Sequence, residues 1–193
     1  MSALPQPTVA RLERLAANCA NASVFNVDAG FHTGSDTASW FADLPTMCVL
    51  GFEPNPDLAP TMALRPFAHQ LLVERAAVGD SDSTAVLWYG NEQTMPVVRP
   101  DVTAPMRPDQ GTLHTELGRY RAGVSAGGTR HSVAVVRMEP YLRKLRALLP
   151  RSVQWGQLKT DLQGHDLLAM LGAGEMVERF QCVTMELWGV RQA

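Results

Sequence analysis

The chain has 193 residues, of which 46% are hydrophobic and 19% are charged, and its formal net charge is −2. These values are typical of a globular protein with one full core and exclude a disordered chain. A chain with so little net charge gives no electrostatic reason to bind nucleic acid or an anionic membrane, so we expect neither partner.

The first 23 residues predict an amphipathic helix ahead of the main domain. Thr8 is a suitable capping residue, and apolar residues follow it at a spacing of three and four as far as Cys19. Arg11, Glu13 and Arg14 interrupt the apolar run that a signal peptide would need. We therefore predict a structural helix over this region.

The cysteines predict reduced thiols. Cys19, Cys48 and Cys182 form no C-x-x-C motif, and one of them stays unpaired whatever the pairing. Cys48 and Cys182 lie in apolar runs, which is typical of buried thiols in a cytoplasmic protein. No stretch has the length of a membrane span, so we expect a cytoplasmic location.

Residues 24–37 predict a buried strand, a turn and the start of a helix. The strand is apolar, Gly30 and Gly34 bracket the turn, and Ser35 and Asp36 are typical of a first helical turn. A glycine turn between a strand and a helix allows backbone to approach a ligand closely, and it is a common nucleotide site.

The rest of the chain alternates strand and helix signals, which predicts an α/β domain over residues 24–193. Its sheet should be mainly parallel, with helices on both faces. Residues 91–130 have no clear periodicity, so we interpret them as an irregular lid or an acceptor-binding insertion. Strands are predicted at 47–52, 71–78, 84–89, 131–136, 153–162 and 180–187, and helices at 58–64, 139–149 and 166–171.

Acidic residues around the turn argue against a dinucleotide. The G-x-G-x-x-G fingerprint is incomplete, because His32 stands where the middle glycine belongs. Asp28 and Asp36 flank the turn, and a pyrophosphate beside them would be repelled by roughly 1–4 kcal/mol per pair of charges. Glu53 follows the second strand, 23 residues after Gly30, where an acid can accept both ribose hydroxyls. S-adenosylmethionine fits this pattern, since it has a ribose, an ammonium and a sulfonium but no phosphate.

Five motifs together resemble the FkbM type of class I S-adenosylmethionine-dependent methyltransferases. The second and fourth motifs are the specific ones, and the resemblance covers roughly residues 24–188. The motifs are Val27-Asp28-Ala29-Gly30-Phe31-His32-Thr33-Gly34-Ser35-Asp36-Thr37, Phe52-Glu53-Pro54-Asn55-Pro56, Ala76-Ala77-Val78-Gly79-Asp80, Leu158-Lys159-Thr160-Asp161-Leu162-Gln163-Gly164-His165-Asp166 and Met185-Glu186.

The resemblance implies a Rossmann-like fold and transfer of a methyl group to a small-molecule acceptor. The acceptor group would be a hydroxyl of a sugar or a secondary metabolite. By position, the first motif and Glu53 would hold the methionine and ribose portions, Ala77 and Val78 would meet the adenine, and Asp161 would lie beside the sulfonium. The complete cofactor-binding set implied is Asp28, Gly30, Phe31, His32, Thr33, Gly34, Asp36, Thr37, Glu53, Pro54, Asn55, Ala77, Val78 and Asp161.

Three residues of the fourth motif are candidates for the chemistry. A hydroxyl acceptor needs a base near the carboxyl ends of the strands, so we name Asp161 and His165 as catalytic candidates. Lys159 is the third candidate, and it either orients a carboxylate or pairs with Glu186 across adjacent strands. We favour the pairing with Glu186.

The chain departs from the family in two ways that keep other functions open. Gln163 replaces the family's glutamate, and the chain ends soon after the fifth strand, without the usual last two strands. Either the strands at 84–89 and 131–136 complete that edge or a partner chain does, as in a homodimer. A non-catalytic nucleotide-binding module and an NAD(P)-dependent oxidoreductase are the alternatives. No His, Cys or Asp spacing resembles a metal site.

Overall fold

A computed structural model describes residues 4–89, 97–100 and 129–186. The predicted insertion at 91–130 therefore lies outside the described residues, apart from 97–100 and 129–130. Within the described ranges no helix is long and apolar enough to cross a membrane. The helices are α1 (Gln6–Asn18), α2 (Ser35–Asp43), α3 (Glu139–Leu148) and α4 (Asp166–Ala173), with 3₁₀ turns at Met62–Phe67 and Gly174–Arg179; the strands are β1 (Val24–Ala29), β2 (Met47–Phe52), β3 (Leu71–Glu74), β4 (Ala77–Val78), β5 (Ser83–Tyr89), β6 (Val97–Pro100), β7 (Thr129–Val136), β8 (Gln154–Thr160) and β9 (Cys182–Met185).

The main sheet has five parallel strands in the order β3-β2-β1-β8-β9. Strand β1 lies at its centre, and all but its first residue are buried, as expected of an apolar strand between two parallel neighbours. The chain builds outward from β1 to β3 on one side and from β8 to β9 on the other. This reversal creates a topological switch point between β1 and β8, where ligands of α/β proteins usually bind. The predicted Rossmann-like α/β fold is confirmed.

Helices cover both faces of this sheet, because alternate strand residues point to opposite sides. One face packs Phe25, Val27 and Leu50 against α1, α3 and α4. The other face packs Met47 and Val49 against α2 and the first 3₁₀ turn. The predicted helices at 139–149 and 166–171 are confirmed, and the N-terminal helix begins two residues before Thr8.

A second sheet, of order β4-β7-β5-β6, stands beside the first. The predicted strand at 71–78 is therefore wrong as one element, because its first half joins the main sheet and Ala77–Val78 joins the second. Strand β5 pairs antiparallel with β6 and β7. These strands do not extend the main sheet beyond β9, so that alternative is wrong.

The helix predicted at 58–64 is also wrong. The structure instead has a turn at Asn55, whose side-chain oxygen accepts the backbone N–H of Asp57, and a 3₁₀ turn from Met62 to Phe67. Pro60 explains the difference, because a proline disfavours helical backbone in the residue before it.

Cys19 and Cys48 form a disulfide that joins the end of α1 to β2, with their Cα atoms 6.0 Å apart. Both residues are buried in the core beneath the helical face. Cys182 is free and exposed on β9. The prediction of reduced thiols at Cys19 and Cys48, and of a buried Cys182, is therefore corrected. Sequence spacing could not show this pairing, since the two cysteines are brought together only by the packing of α1 on the sheet.

Candidate functional site

A cleft of about 470 Å³ opens at the carboxyl ends of the parallel strands, beside the switch point between β1 and β8. The loops after β1, β2 and β8 form much of its wall, and β4 and β5 of the second sheet close one side. The cleft is lined by Gly30, Glu53, Pro54, Ala77, Val78, Leu87, Asp161, Leu162, Gln163 and His165.

The glycine turn is needed where β1 meets β8. Gly30 has a φ of 86°, and a Cβ atom there would collide with the backbone carbonyl of Asp161. Gly34 has a φ of 76°, and a Cβ atom there would collide with the ring of Phe31 and the side chain of Leu64. Gly30 therefore brings the two strand ends together at the cleft, whereas Gly34 makes room for the core.

His32 stands in the turn because of its backbone. Its φ is 52°, in the left-handed region that histidine tolerates better than branched residues do. This conformation points its backbone N–H at Glu53 Oε2, at 2.8 Å. The side chain itself is exposed, so the unusual histidine acts as a turn residue and its peptide fixes the Glu53 carboxylate.

We expect His32→Val to destabilise the fold by about 1–2 kcal/mol, since a β-branched residue is strained at positive φ. His32→Gly should leave the stability unchanged or slightly raised. Denaturant unfolding measures both, and His69→Val, at an exposed histidine without positive φ, is the matched control. Equal losses for His32→Val and His69→Val would contradict a backbone role for the turn.

Glu53 is a buried carboxylate at the end of β2, and both of its oxygens accept backbone N–H groups. His32 donates to Oε2 and Asn55 donates to Oε1, each at 2.8 Å. Burial raises the pKa of Glu53, and the two backbone N–H groups oppose this by favouring the ionised form. Each oxygen keeps a second lone pair, so the carboxylate can also accept hydroxyl groups from a ligand in the cleft.

Lys159 pairs with three carboxylates behind the cleft wall. Its Nζ lies 3.3 Å from Asp28 Oδ1, 2.9 Å from Asp36 Oδ2 and 3.9 Å from Asp161 Oδ2. The other oxygen of Asp28 accepts the hydroxyl of Thr37 at 2.7 Å. The favoured pairing of Lys159 with Glu186 is therefore wrong, because Lys159 lies directly opposite Asp28 in the register of β1 and β8. The other expectation, that Lys159 orients a carboxylate, matches the geometry.

Burial and charge act in opposite directions on this network. Burial raises the pKa of Asp28, and the Lys159 ammonium and the Thr37 hydroxyl reduce that rise. Burial also acts to lower the pKa of Lys159, but Asp28 and Asp36 outweigh it and raise that pKa above its usual value. The ammonium therefore stays charged and holds Asp28 in the fold.

Buried polar atoms without hydrogen-bond partners collect at the end of β8. Among the described residues they include Thr160 Oγ1, Gln163 Oε1 and His165 Nδ1. Such atoms are rare in folded proteins, and a group of them beside a cleft indicates a binding site. Burial also lowers the pKa of His165, although Asp166 opposes the effect, so this imidazole is neutral near pH 7.

The structure brings seven of the predicted site residues to the cleft: Gly30, Glu53, Pro54, Ala77, Val78, Asp161 and His165. The others lie behind it or away from it. Phe31 packs in the core, Asp28 and Thr37 are buried against each other, Asn55 is buried beside Glu53, and His32, Thr33, Gly34, Asp36 and Lys159 do not line the cleft.

Three further lining residues were not among the predicted site residues. Leu87 comes from the second sheet, whose place beside the cleft no motif indicates. Leu162 and Gln163 directly follow Asp161. Gln163 could have been noticed from the sequence, since the family that the motifs resemble has a glutamate at this position.

The charged side chains in the lining of the cleft are acidic. Glu53 and Asp161 supply two carboxylates, and no lysine or arginine is among the lining residues that the structure describes.

Comparisons of the chain with models of protein families, with curated proteins and with solved structures found no match.

Proposed function

We propose that this chain is an S-adenosylmethionine-dependent methyltransferase of the FkbM type that acts on a small-molecule acceptor. The main support is a cleft at the switch point of the parallel sheet. The described lining of this cleft has two carboxylates and no lysine or arginine. Such a lining disfavours the phosphates of NAD or a nucleoside triphosphate and favours a ligand with positive groups. The five sequence motifs support the same assignment.

The cleft residues fit this cofactor by chemistry. Glu53 would accept the ribose hydroxyls with its remaining lone pairs, and Ala77 and Val78 offer an apolar wall for the adenine. Asp161 is a partly buried carboxylate in the cleft lining, and it would lie beside the sulfonium. When bound, S-adenosylmethionine supplies a methyl group on a positively charged sulfur that leaves as a neutral thioether.

We assign the chain's own catalytic contribution to alignment and proton removal. His165 lines the cleft and is neutral near pH 7, so it can take the proton of an acceptor hydroxyl. Lys159 does not line the cleft and holds Asp28, Asp36 and Asp161 in position. O-methylation of a hydroxyl is the reaction that this arrangement supports best.

Calorimetric titration with S-adenosylhomocysteine and with NAD tests the proposal. We expect S-adenosylhomocysteine to bind and NAD to give no heat. Glu53→Gln should weaken that binding about 10- to 100-fold, the usual value of a hydrogen bond to a charged group. Glu13→Ala, at an exposed glutamate on α1, should bind normally.

The outcomes separate the alternatives. Binding of NAD alone would support an oxidoreductase, and binding of neither ligand would exclude both enzyme classes. Transfer of tritium from labelled S-adenosylmethionine into a metabolite extract then distinguishes an enzyme from a module that only binds the cofactor.

A further inference from the structure

Gln163 is held in an unusual way at the edge of the cleft. It follows β8 with a φ of 54°, a left-handed conformation that costs free energy in any residue but glycine. The residue after it is Gly164, where a Cβ atom would meet nothing within 4 Å. A glycine at 163 would avoid the strain, so the strained position argues for a use of the glutamine side chain.

The amide nitrogen of Gln163 bridges two carboxylates. Nε2 lies 2.8 Å from Asp161 Oδ1 and 3.2 Å from Glu186 Oε2, so it ties the end of β8 to the residue after β9. Ionised carboxylates accept hydrogen bonds and cannot donate them, which fixes which end of the amide carries the N–H groups. Both N–H groups are used, and the carbonyl oxygen must face the other way.

The carbonyl oxygen has no such use within the fold. Gln163 Oε1 is buried and has no hydrogen-bond partner among the described residues, while the side chain lines the cleft. A buried acceptor without a donor destabilises the protein unless a ligand or water completes it. A glutamate at this position would lose both N–H donors and place a third carboxylate beside Asp161 and Glu186.

We propose that Gln163 is a positioning and specificity-determining residue of the cleft. Its nitrogen orients Asp161, and its Oε1 accepts a hydrogen bond from a hydroxyl or amine at the point of methyl transfer. The acceptor molecule therefore carries a hydrogen-bond donor at that point and no carboxylate or phosphate, which Oε1 and Asp161 would repel. This inference rests on the proposed function.

Sinefungin tests the inference without knowledge of the acceptor, because a carbon replaces the sulfur of S-adenosylmethionine and a primary amine on that carbon replaces the transferable methyl group. We expect the native protein to bind sinefungin about 10- to 100-fold more tightly than S-adenosylhomocysteine in calorimetric titrations, since the amine can donate to Oε1. Gln163→Met keeps the side-chain volume and removes the carbonyl. It should reduce this ratio about tenfold.

Gln163→Glu separates the two parts of the side chain, because it keeps an acceptor oxygen and loses the nitrogen that holds Asp161. It should retain the preference for the amine. Gln157→Met is the matched control, since Gln157 also bridges β8 to β9, through Thr184 Oγ1 at 2.9 Å, but lies outside the cleft lining. Its ratio should equal that of the native protein.

Each outcome decides the proposal. If S-adenosylhomocysteine and sinefungin both fail to bind the native protein, the proposed function is wrong. If both bind and Gln163→Met leaves their ratio unchanged, the function stands and the role of Gln163 is wrong. If Gln163→Glu loses the preference as fully as Gln163→Met, the orientation of Asp161 sets the ratio, and Oε1 is not the acceptor.

Discussion

Lys159→Met should destabilise the protein by about 3–5 kcal/mol at pH 7, the usual cost of leaving one partner of a buried ion pair alone. Asp28 is 1% exposed and Lys159 only 15%, so water cannot replace the lost ammonium. Chemical denaturation gives the free energy of unfolding. Lys144→Met is the matched control, because its pair with Glu13 lies at the surface and is worth at most about 1 kcal/mol.

The pH dependence identifies Asp28 as the group responsible. Lys159→Met removes the ammonium that opposes the effect of burial on Asp28. The pKa of Asp28 in the folded chain therefore rises still further above its value in the unfolded chain. As the pH falls, Asp28 of the folded variant takes up its proton at a higher pH than Asp28 of the unfolded chain does, and this uptake stabilises the fold. The stability of Lys159→Met relative to the native protein therefore recovers as the pH falls from about 7 to about 4. Asp28→Asn combined with Lys159→Met should likewise be less damaging than Lys159→Met alone. A loss that is independent of pH and unaffected by Asp28→Asn would contradict this account.

The same network shows what the sequence could predict. Asp28, Gly30, Glu53 and Asp161 all lie around the switch point, as their places at strand ends predicted. What each carboxylate contacts was not predictable, because it depends on register. Asp28 and Lys159 are 131 positions apart in the chain, and only the parallel pairing of β1 with β8 sets them side by side.

Residues of the same motif also differ in whether they face the cleft or the core. Phe31 stands between two predicted ligand residues in the first motif, yet its ring packs in the core over Gly34 and Gly51. A turn with positive φ at alternate positions sends neighbouring side chains in different directions, which spacing alone does not reveal. Leu87 was missed for a related reason, since the second sheet reaches the cleft through tertiary packing and carries no motif.

Loss of the Cys19–Cys48 disulfide should lower the free energy of unfolding by about 3–4 kcal/mol, the chain-entropy value for a loop of this length. The cysteines are 29 positions apart, and the bond ties the end of α1 to β2 of the main sheet. The double variant Cys19→Ala/Cys48→Ala measures the loss by chemical denaturation. Cys182→Ala is the control and should change nothing, because that thiol is exposed and unpaired.

A thiol count decides between the disulfide and the reduced thiols that the sequence alone predicts. The chain has three cysteines, so the denatured protein without reductant should show one reactive thiol, and three after reduction. Reductant should also destabilise the native protein and leave the double variant unaffected. Three reactive thiols without reductant, or equal sensitivity of both proteins, would mean that Cys19 and Cys48 pack as reduced neighbours and that noncovalent packing alone holds α1 on the sheet.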